Sequence, residues 1–253
     1  MYEQFGMIRD ELKKSGYDLG LDKLLGNYIL RYKANKKFTK REHCEGLILS
    51  ILSANRPWIG IERNLDNLYK VFHGYDPDFL REANPQELVQ EVCRYECGNR
   101  RIVKQMEEIS YNVKILDAIE EKFGDVDFPM QLAAEHTRDV LWVFSDNKSA
   151  YKFKGVAVAL AAQYMKNMGV DLTKPDVHIR RMIQRLWTGY LPDEYEAIAT
   201  CKEIADKYGI TQTEVGTTLW QFCAIGYLEI CGANPRCDEC PAFKACHYGQ
   251  NYF

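Results

Sequence analysis

The sequence predicts an all-α fold, and three observations support this prediction. Apolar residues recur at steps of three and four in EGLILSILSA, IVKQMEEISYNVKILDAIEEKF and AIATCKEIADKYGI, the spacing of helices with one buried face. The alternation of apolar and polar residues that is typical of strands is nearly absent. Glycine and proline separate the periodic segments into roughly ten helices. These breaks fall at Gly124, Pro129, Gly169, Pro175, Pro192 and Gly209.

The composition indicates a globular intracellular protein. Its 253 residues are 46% hydrophobic, enough for a sizeable core in one large domain or two closely packed lobes. The first residues, MYEQFGMIRDELKK, do not resemble a signal peptide, and the longest apolar stretch, residues 156–162, is far shorter than the ~20 residues of a membrane span. We therefore expect the nine cysteines to be reduced thiols or metal ligands. The net charge is −3, so an anionic partner must be met by local basic clusters such as Arg100–Arg101, Lys152–Lys154 and Arg180–Arg181.

Three segments carry residues with a specific local role. The first, CEGLILSILSANRPW (residues 44–58), predicts a buried helix for which Asn55 is a suitable C-terminal cap. The second, FKGVAVALAAQYMKNMGVDLTKPDVHIRRM (residues 153–182), has Gly155 immediately before an apolar helical segment. In the same segment Asp176 precedes VHIRRMIQRLW and is expected to N-cap that helix.

The third segment, residues 231–246, contains four cysteines with the spacing C-x5-C-x2-C-x5-C. Thiolates bind zinc or the iron of an iron–sulfur cluster, and four of them leave no open coordination position, so the site is expected to be structural. The residues alone leave three interpretations: a chance group of free thiols, a zinc knuckle, or an iron–sulfur cluster. Zinc ligands usually come in two closely spaced pairs, whereas here only Cys237 and Cys240 are two residues apart.

Together the three segments resemble the endonuclease III family of helix–hairpin–helix DNA glycosylases. The cysteine loop is similar to the family's C-terminal [4Fe–4S] loop, with a first gap one residue shorter. The resemblance implies that the cluster is held by Cys231, Cys237, Cys240 and Cys246.

The same resemblance assigns residues to DNA binding and catalysis. Asn55 occupies the place of the polar wedge that fills the gap left by a flipped base, ten residues after Glu45, and Arg56 stands beside it. Ala157 and Lys154 stand where the family's hairpin has its second glycine and its proline. The implied DNA-binding residues are Asn55, Arg56, Lys154, Gly155, Ala157 and Arg181. Asp176 takes the position of the catalytic aspartate, a role compatible with capping a helix.

Bifunctional members of the family carry a lysine after the hairpin that forms a Schiff base with the sugar. In this chain that position falls on Val158 or Ala159, which predicts a monofunctional glycosylase that leaves an abasic site. An alternative alignment starts the second helix earlier and makes Lys148 the nucleophile of a bifunctional glycosylase/AP lyase. Adenine-specific relatives have a catalytic Glu four residues before the wedge, where this chain has Ile51, which argues against adenine opposite oxidised guanine.

The resemblance implies two helical lobes with DNA in the cleft between them. Residues 46–170 would form the barrel-like lobe with the hairpin, and residues 1–45 with 171–253 would form the lobe that holds the cluster loop. The expected partner is double-stranded DNA with a damaged or mismatched base, bound by a monomer that associates with no membrane and, in a prokaryote, is cytoplasmic and nucleoid-associated. Two other classes stay open: a non-catalytic, damage-sensing DNA-binding module, and an iron–sulfur electron-transfer protein.

Overall fold

The predicted all-α fold is confirmed. The structure, a computed structural model, describes residues 2–17 and 23–252, with the backbone alone for 23–27 and 252, and within these ranges it contains no β-strand. None of the helices in the described ranges is both long and apolar enough to cross a membrane.

The helices are connected by short turns. In chain order they are α1 (Glu3–Lys14), α2 (Lys23–Lys33), α3 (Lys40–Leu52), α4 (Ile59–Glu62), α5 (Leu65–Val71), α6 (Pro77–Glu82), α7 (Pro85–Arg94), α8 (Ile102–Phe123), α9 (Phe128–Ser145), α10 (Val158–Asn167), α11 (Val177–Ile183), α12 (Glu194–Tyr208), α13 (Gln212–Cys223) and α14 (His247–Tyr252). Short 3-10 turns occupy His73–Tyr75, Cys237–Glu239 and Phe243–Ala245, and a π-helical turn, Gln184–Thr188, continues α11.

The chain forms two compact units. The central unit is Tyr28–Val170, and the terminal unit is Met1–Asn27 with Asp171–Phe253. The predicted boundary between residues 45 and 46 would cut through α3, whereas the structure divides the chain between 27 and 28. Residues 28–45 join the central unit because ion pairs hold them there: Lys37 Nζ lies 2.5 Å from Asp125 Oδ2, and Lys40 Nζ lies 2.7 Å from Asp117 Oδ1. Residues 1, 18–22 and 253 of the predicted cluster-holding lobe lie outside the described residues.

The core of the central unit surrounds α3. This helix begins with a capping box made by Thr39 and Glu42, and its residues from Gly46 to Leu52 are all buried. It packs against α8 and α10. At its start, buried His43 bonds two other buried groups, the hydroxyl of Tyr164 (2.6 Å from Nδ1) and the carboxylate of Asp127 (3.0 Å from Nε2). The periodic apolar residues therefore place α3 inside the unit, with its C-terminal end leading to Asn55.

The terminal unit packs α1, α11, α12 and α13 around a separate core. Phe5, Met182 and Phe222 are fully buried in that core. After α13 the chain runs from residue 224 to 246 without a long helix, and all four clustered cysteines lie in this stretch. The loop is thus anchored on the same core that supports α11.

Candidate DNA-binding, catalytic and cluster-binding residues

Asp176 caps α11, as its position in the sequence predicts. Its Oδ1 accepts hydrogen bonds from the backbone N–H groups of His178 (2.9 Å) and Ile179 (3.2 Å). Within the described residues nothing donates to Oδ2, and the side chain is partly exposed. One oxygen therefore fixes the carboxylate on the helix, while the other stays available for chemistry.

Two basic residues, Lys174 and His178, interact with the charge of Asp176, and a third, Arg181, contacts His178. Burial lowers the pKa of His178, and the carboxylate of Asp176 opposes that effect. His178 Nδ1 lies 3.2 Å from Arg181 Nη2 and must accept its hydrogen bond, since a guanidinium only donates. Burial also lowers the pKa of Lys174, and the negative charge of Asp176 again opposes that effect. Arg181 is thus engaged with His178, and its buried Nε has no hydrogen-bond partner in the described part of the chain.

The predicted hairpin lies between α9 and α10. Gly155 has φ +72°, in the left-handed region that favours glycine, and a Cβ there would lie 2.4 Å from Glu108 Oε2. Ala157, in place of the family's second glycine, has extended backbone (φ −105°, ψ 179°) that any residue adopts. No acceptor in the described residues bonds the N–H groups of Gly155, Ala157 or Val158. The hairpin therefore offers unpaired backbone donors at the N-terminus of α10, where the helix dipole also favours an anion.

The lysines near the hairpin lie in different environments. Lys154 is exposed, with Nζ 3.9 Å from the centroid of the Tyr111 ring. Lys148 lies in an exposed turn after α9, before the hairpin, whereas the alternative alignment requires it on the helix that follows the hairpin. Val158 and Ala159, the first two residues of α10, hold the place after the hairpin. Gly155 therefore lies in the turn before α10, and the choice between the two alignments stays a prediction.

Sequence analysis missed Lys152. Its Nζ donates to the backbone carbonyls of Ser145 and Val156, the second at 2.9 Å, and burial lowers its pKa. Lys152 therefore ties the end of α9 to the hairpin. In the sequence, the basic run Lys152–Lys154 was the only indication of a role for this residue.

Asn55 lies beyond the end of α3, which the backbone of Ser53 caps. Its φ is +55°, so Asn55 has the left-handed conformation that asparagine tolerates better than most residues. The side chain is exposed and makes no hydrogen bond with any described residue. This placement suits a residue that enters a duplex, but the wedge role itself stays a prediction.

Arg56 makes contacts that sequence analysis did not foresee. Its Nη1 donates to the carbonyl of Gly98 (3.0 Å) and its Nη2 to that of Glu96 (2.6 Å). These bonds tie the loop after α3 to the turn before α8. Arg56 therefore positions the Asn55 loop, and a direct contact between Arg56 and DNA stays a prediction.

The four clustered cysteines line one cavity. Cys231, Cys237, Cys240 and Cys246 border a small pocket that opens partly to solvent, together with apolar residues such as Phe222 and Phe243. Burial raises the pKa of Cys240 to about 12. It also raises the pKa of Cys231, an effect that a hydrogen bond from Arg185 opposes.

The four thiols are the donor set that an iron–sulfur cluster uses, and which metal centre they hold stays a prediction. A zinc ion needs its sulfur ligands about 2.3 Å from one point. Among the described residues, no group of three or more His, Cys, Asp or Glu is placed to hold one metal ion. The donor set is all thiol and surrounds a common space, which is what a cluster with one thiolate for each of four irons requires.

Arg185 is a second residue that sequence analysis missed. Its Nη1 lies 3.6 Å from Cys231 Sγ and donates to the carbonyl of Gly232 (2.7 Å), while Nη2 donates to that of Ala233 (3.1 Å). The guanidinium therefore fastens the beginning of the cysteine loop to the turn that follows α11. The one sequence feature that could have indicated Arg185 is its place four residues after Arg181, which puts both on one face of the helix.

Comparisons with known proteins agree with this architecture. No protein-family profile and no curated protein sequence matches the chain. One similar solved structure is the Methanocaldococcus jannaschii 8-oxoguanine glycosylase/lyase in complex with a 15mer DNA containing 8-oxoguanine (19% identity, 86% of this chain and 95% of that chain, TM-score 0.58). Another is Tm1821, the 8-oxoguanine DNA glycosylase of Thermotoga maritima (20% identity, 88% of this chain and 95% of that chain, TM-score 0.58). The chain therefore has the fold of the helix–hairpin–helix DNA glycosylases.

Proposed function

We propose that this protein is a DNA glycosylase of base excision repair that hydrolyses the N-glycosidic bond of a damaged base in double-stranded DNA. The observation that carries the proposal is Asp176, whose Oδ1 is fixed by the N-terminus of α11 while Oδ2 makes no bond to any described residue. As the base leaves, positive charge develops on the sugar, and a positioned carboxylate stabilises that charge or activates a water. The fold shared with two 8-oxoguanine glycosylases supports this assignment.

DNA is held, in this proposal, by the hairpin and the loop after α3. The N–H groups around Gly155 and the ammonium of Lys154 meet a phosphate, and Asn55 fills the gap left by the flipped base. Arg181, which is bonded to His178, contacts DNA from α11 in this proposal. We propose a monomer that binds a [4Fe–4S] cluster through the four cysteines. When bound, that cluster would hold the loop in one conformation. Its role would be structural, because four thiolates leave no open coordination position for a substrate.

We further propose that the enzyme is monofunctional. The residues after the hairpin, Val158 and Ala159, have no amine that could attack the sugar. Lys148, the alternative nucleophile, lies in a turn before the hairpin.

A panel of duplexes, each with one damaged base and beginning with 8-oxoguanine, tests the function. We expect intact strands with an abasic site that break only under alkali, and no protein–DNA product after borohydride. A borohydride adduct that disappears in Lys148→Ala would establish the bifunctional alternative, and one that survives it but disappears in Lys152→Ala would assign the amine to Lys152. Binding to damaged duplexes without release of any base would instead support the damage-sensing module.

A further inference from the structure

Helix α8 carries a buried side chain whose amide oxygen and nitrogen both hydrogen-bond to the hairpin backbone. Asn112 is 1% exposed. The backbone N–H of Lys154 donates to Asn112 Oδ1 (2.7 Å), and Asn112 Nδ2 donates to the carbonyl of Lys154 (3.2 Å). Both polar groups of one peptide residue are therefore satisfied by one side chain from 42 positions earlier in the chain.

The same face of α8 makes two more contacts with the hairpin. Tyr111 lies beneath the ammonium of Lys154. Glu108 Oε2 occupies the space into which a Cβ of residue 155 would project. Residues 108, 111 and 112 are neighbours on one face of a helix, since they are three and four positions apart. This face is the platform on which the hairpin rests.

The hairpin needs such a platform because its own sequence is permissive. A proline at residue 154 would fix φ near −65° and would have no N–H to satisfy. Lysine leaves φ free and keeps a backbone N–H, and Asn112 supplies the acceptor for that N–H. We propose that Asn112 is the positioning residue of the phosphate-binding hairpin, holding the peptide of Lys154 so that the N–H groups of Gly155, Ala157 and Val158 stay open to a DNA phosphate. This inference rests on the proposed function.

The test is DNA affinity rather than base release. Asn112→Leu keeps the side-chain volume roughly constant and removes both hydrogen bonds. We expect the Kd for undamaged and damaged duplexes to rise by the same factor, roughly tenfold for one lost charge-assisted contact. KM should rise with kcat unchanged. Asn167→Leu is the matched control, because it removes a similar amide-to-carbonyl bond in the same unit, from Asn167 Nδ2 to Gly46 O (2.8 Å). It should lower Tm without changing Kd.

A rescue variant separates positioning from general stability. Lys154→Pro in the Asn112→Leu background replaces the clamp with a residue of fixed φ and no N–H. We expect the double variant to bind DNA with the Kd of the Lys154→Pro single variant, whatever its Tm. If Asn112→Leu fails to fold, Asn112→Asp, which keeps only the acceptor, should show an intermediate affinity.

Several outcomes would overturn the inference. If Asn112→Leu or Asn112→Asp binds DNA as tightly as the wild type, Asn112 is not a positioning residue. The same holds if the double variant binds DNA more weakly than Lys154→Pro alone. If the wild type excises bases while the Asn112 variants bind DNA as tightly as it does, the inference alone fails and the proposed function stands. If the wild type binds no duplex DNA at all, both fail.

Discussion

Replacing Asp176 separates two roles that the structure assigns to one carboxylate. Asn at this position presents an oxygen with the same geometry to the N–H groups of His178 and Ile179, which lie 2.9 and 3.2 Å from Oδ1 in the wild type. Ala presents nothing. Both substitutions remove the negative charge. Asp176→Asn should therefore keep the helix cap and lose the chemistry, whereas Asp176→Ala should lose both.

The magnitudes follow from these contacts. Asn and Asp cap helices about equally well, whereas loss of the cap to Ala costs about 1 kcal/mol. For a chain of this size that is a fall in Tm of roughly 2–4 °C for Asp176→Ala. Asp176→Asn loses only the interaction of the charge with the helix dipole, about 0.3–1 kcal/mol. Loss of a positioned electrostatic group slows the chemical step by about 10²–10³-fold, and this loss should be the same in both variants.

Three measurements decide the matter. Thermal unfolding compares the caps, titration of a labelled duplex gives Kd, and single-turnover base release gives the chemical rate. We expect wild-type Kd in Asp176→Asn together with nearly complete loss of excision. Excision at the wild-type rate in this variant would show that Asp176 is only a helix cap, and the enzyme assignment would fall with it. A Tm as low as that of Asp176→Ala would refute the argument from the cap.

Three further predictions concern the wedge, the cysteines and the central core. Asn55→Gly keeps the left-handed backbone and removes the side chain, whereas Asn55→Ala adds strain of about 1 kcal/mol; both should slow excision from paired substrates to a similar extent, and normal excision in the Gly variant would contradict the wedge role. Purified protein should be yellow-brown with about four irons per chain; Cys237→Ser should lose the colour while the exposed Cys93→Ser keeps it, and colourless protein with one zinc would refute the cluster. His43→Leu leaves Asp127 and the Tyr164 hydroxyl buried without their shared partner, which should cost about 3 kcal/mol or more; the exposed His136→Leu is the control, and equal Tm values would contradict a stabilising role for the network.

Local patterns in the sequence were sufficient for the helices and their caps. Asp176 was identified as an N-cap because capping depends only on the residues immediately after it. The turn glycine at 155 was found for the same reason, since the left-handed backbone is a local property. The all-α class followed from periodicity, which needs no knowledge of packing partners.

Features that depend on distant residues were not predictable in this way. Residues 28–45 belong to the central unit through long-range contacts such as the ion pair between Lys40 and Asp117, which are 77 residues apart. The engagement of Arg56 by Glu96 and Gly98 is set by the turn before α8. Nothing in an isolated segment indicates such a partner, because a single sequence records composition and spacing but not which surfaces meet.

The hairpin and the aspartate divide the proposed function between the two units of the chain. Gly155 and the backbone donors beside it belong to the central unit, where they are held by Asn112, while Asp176 belongs to the terminal unit. Affinity and chemistry should therefore respond to different substitutions. A change at Asn112 should move Kd for every duplex and leave kcat alone, while Asp176→Asn should do the reverse. In the proposed monofunctional enzyme no nucleophile compensates for loss of the carboxylate, since Val158 and Ala159 add no reactive group to the hairpin. Residual excision in Asp176→Asn would then have to come from DNA binding and distortion alone.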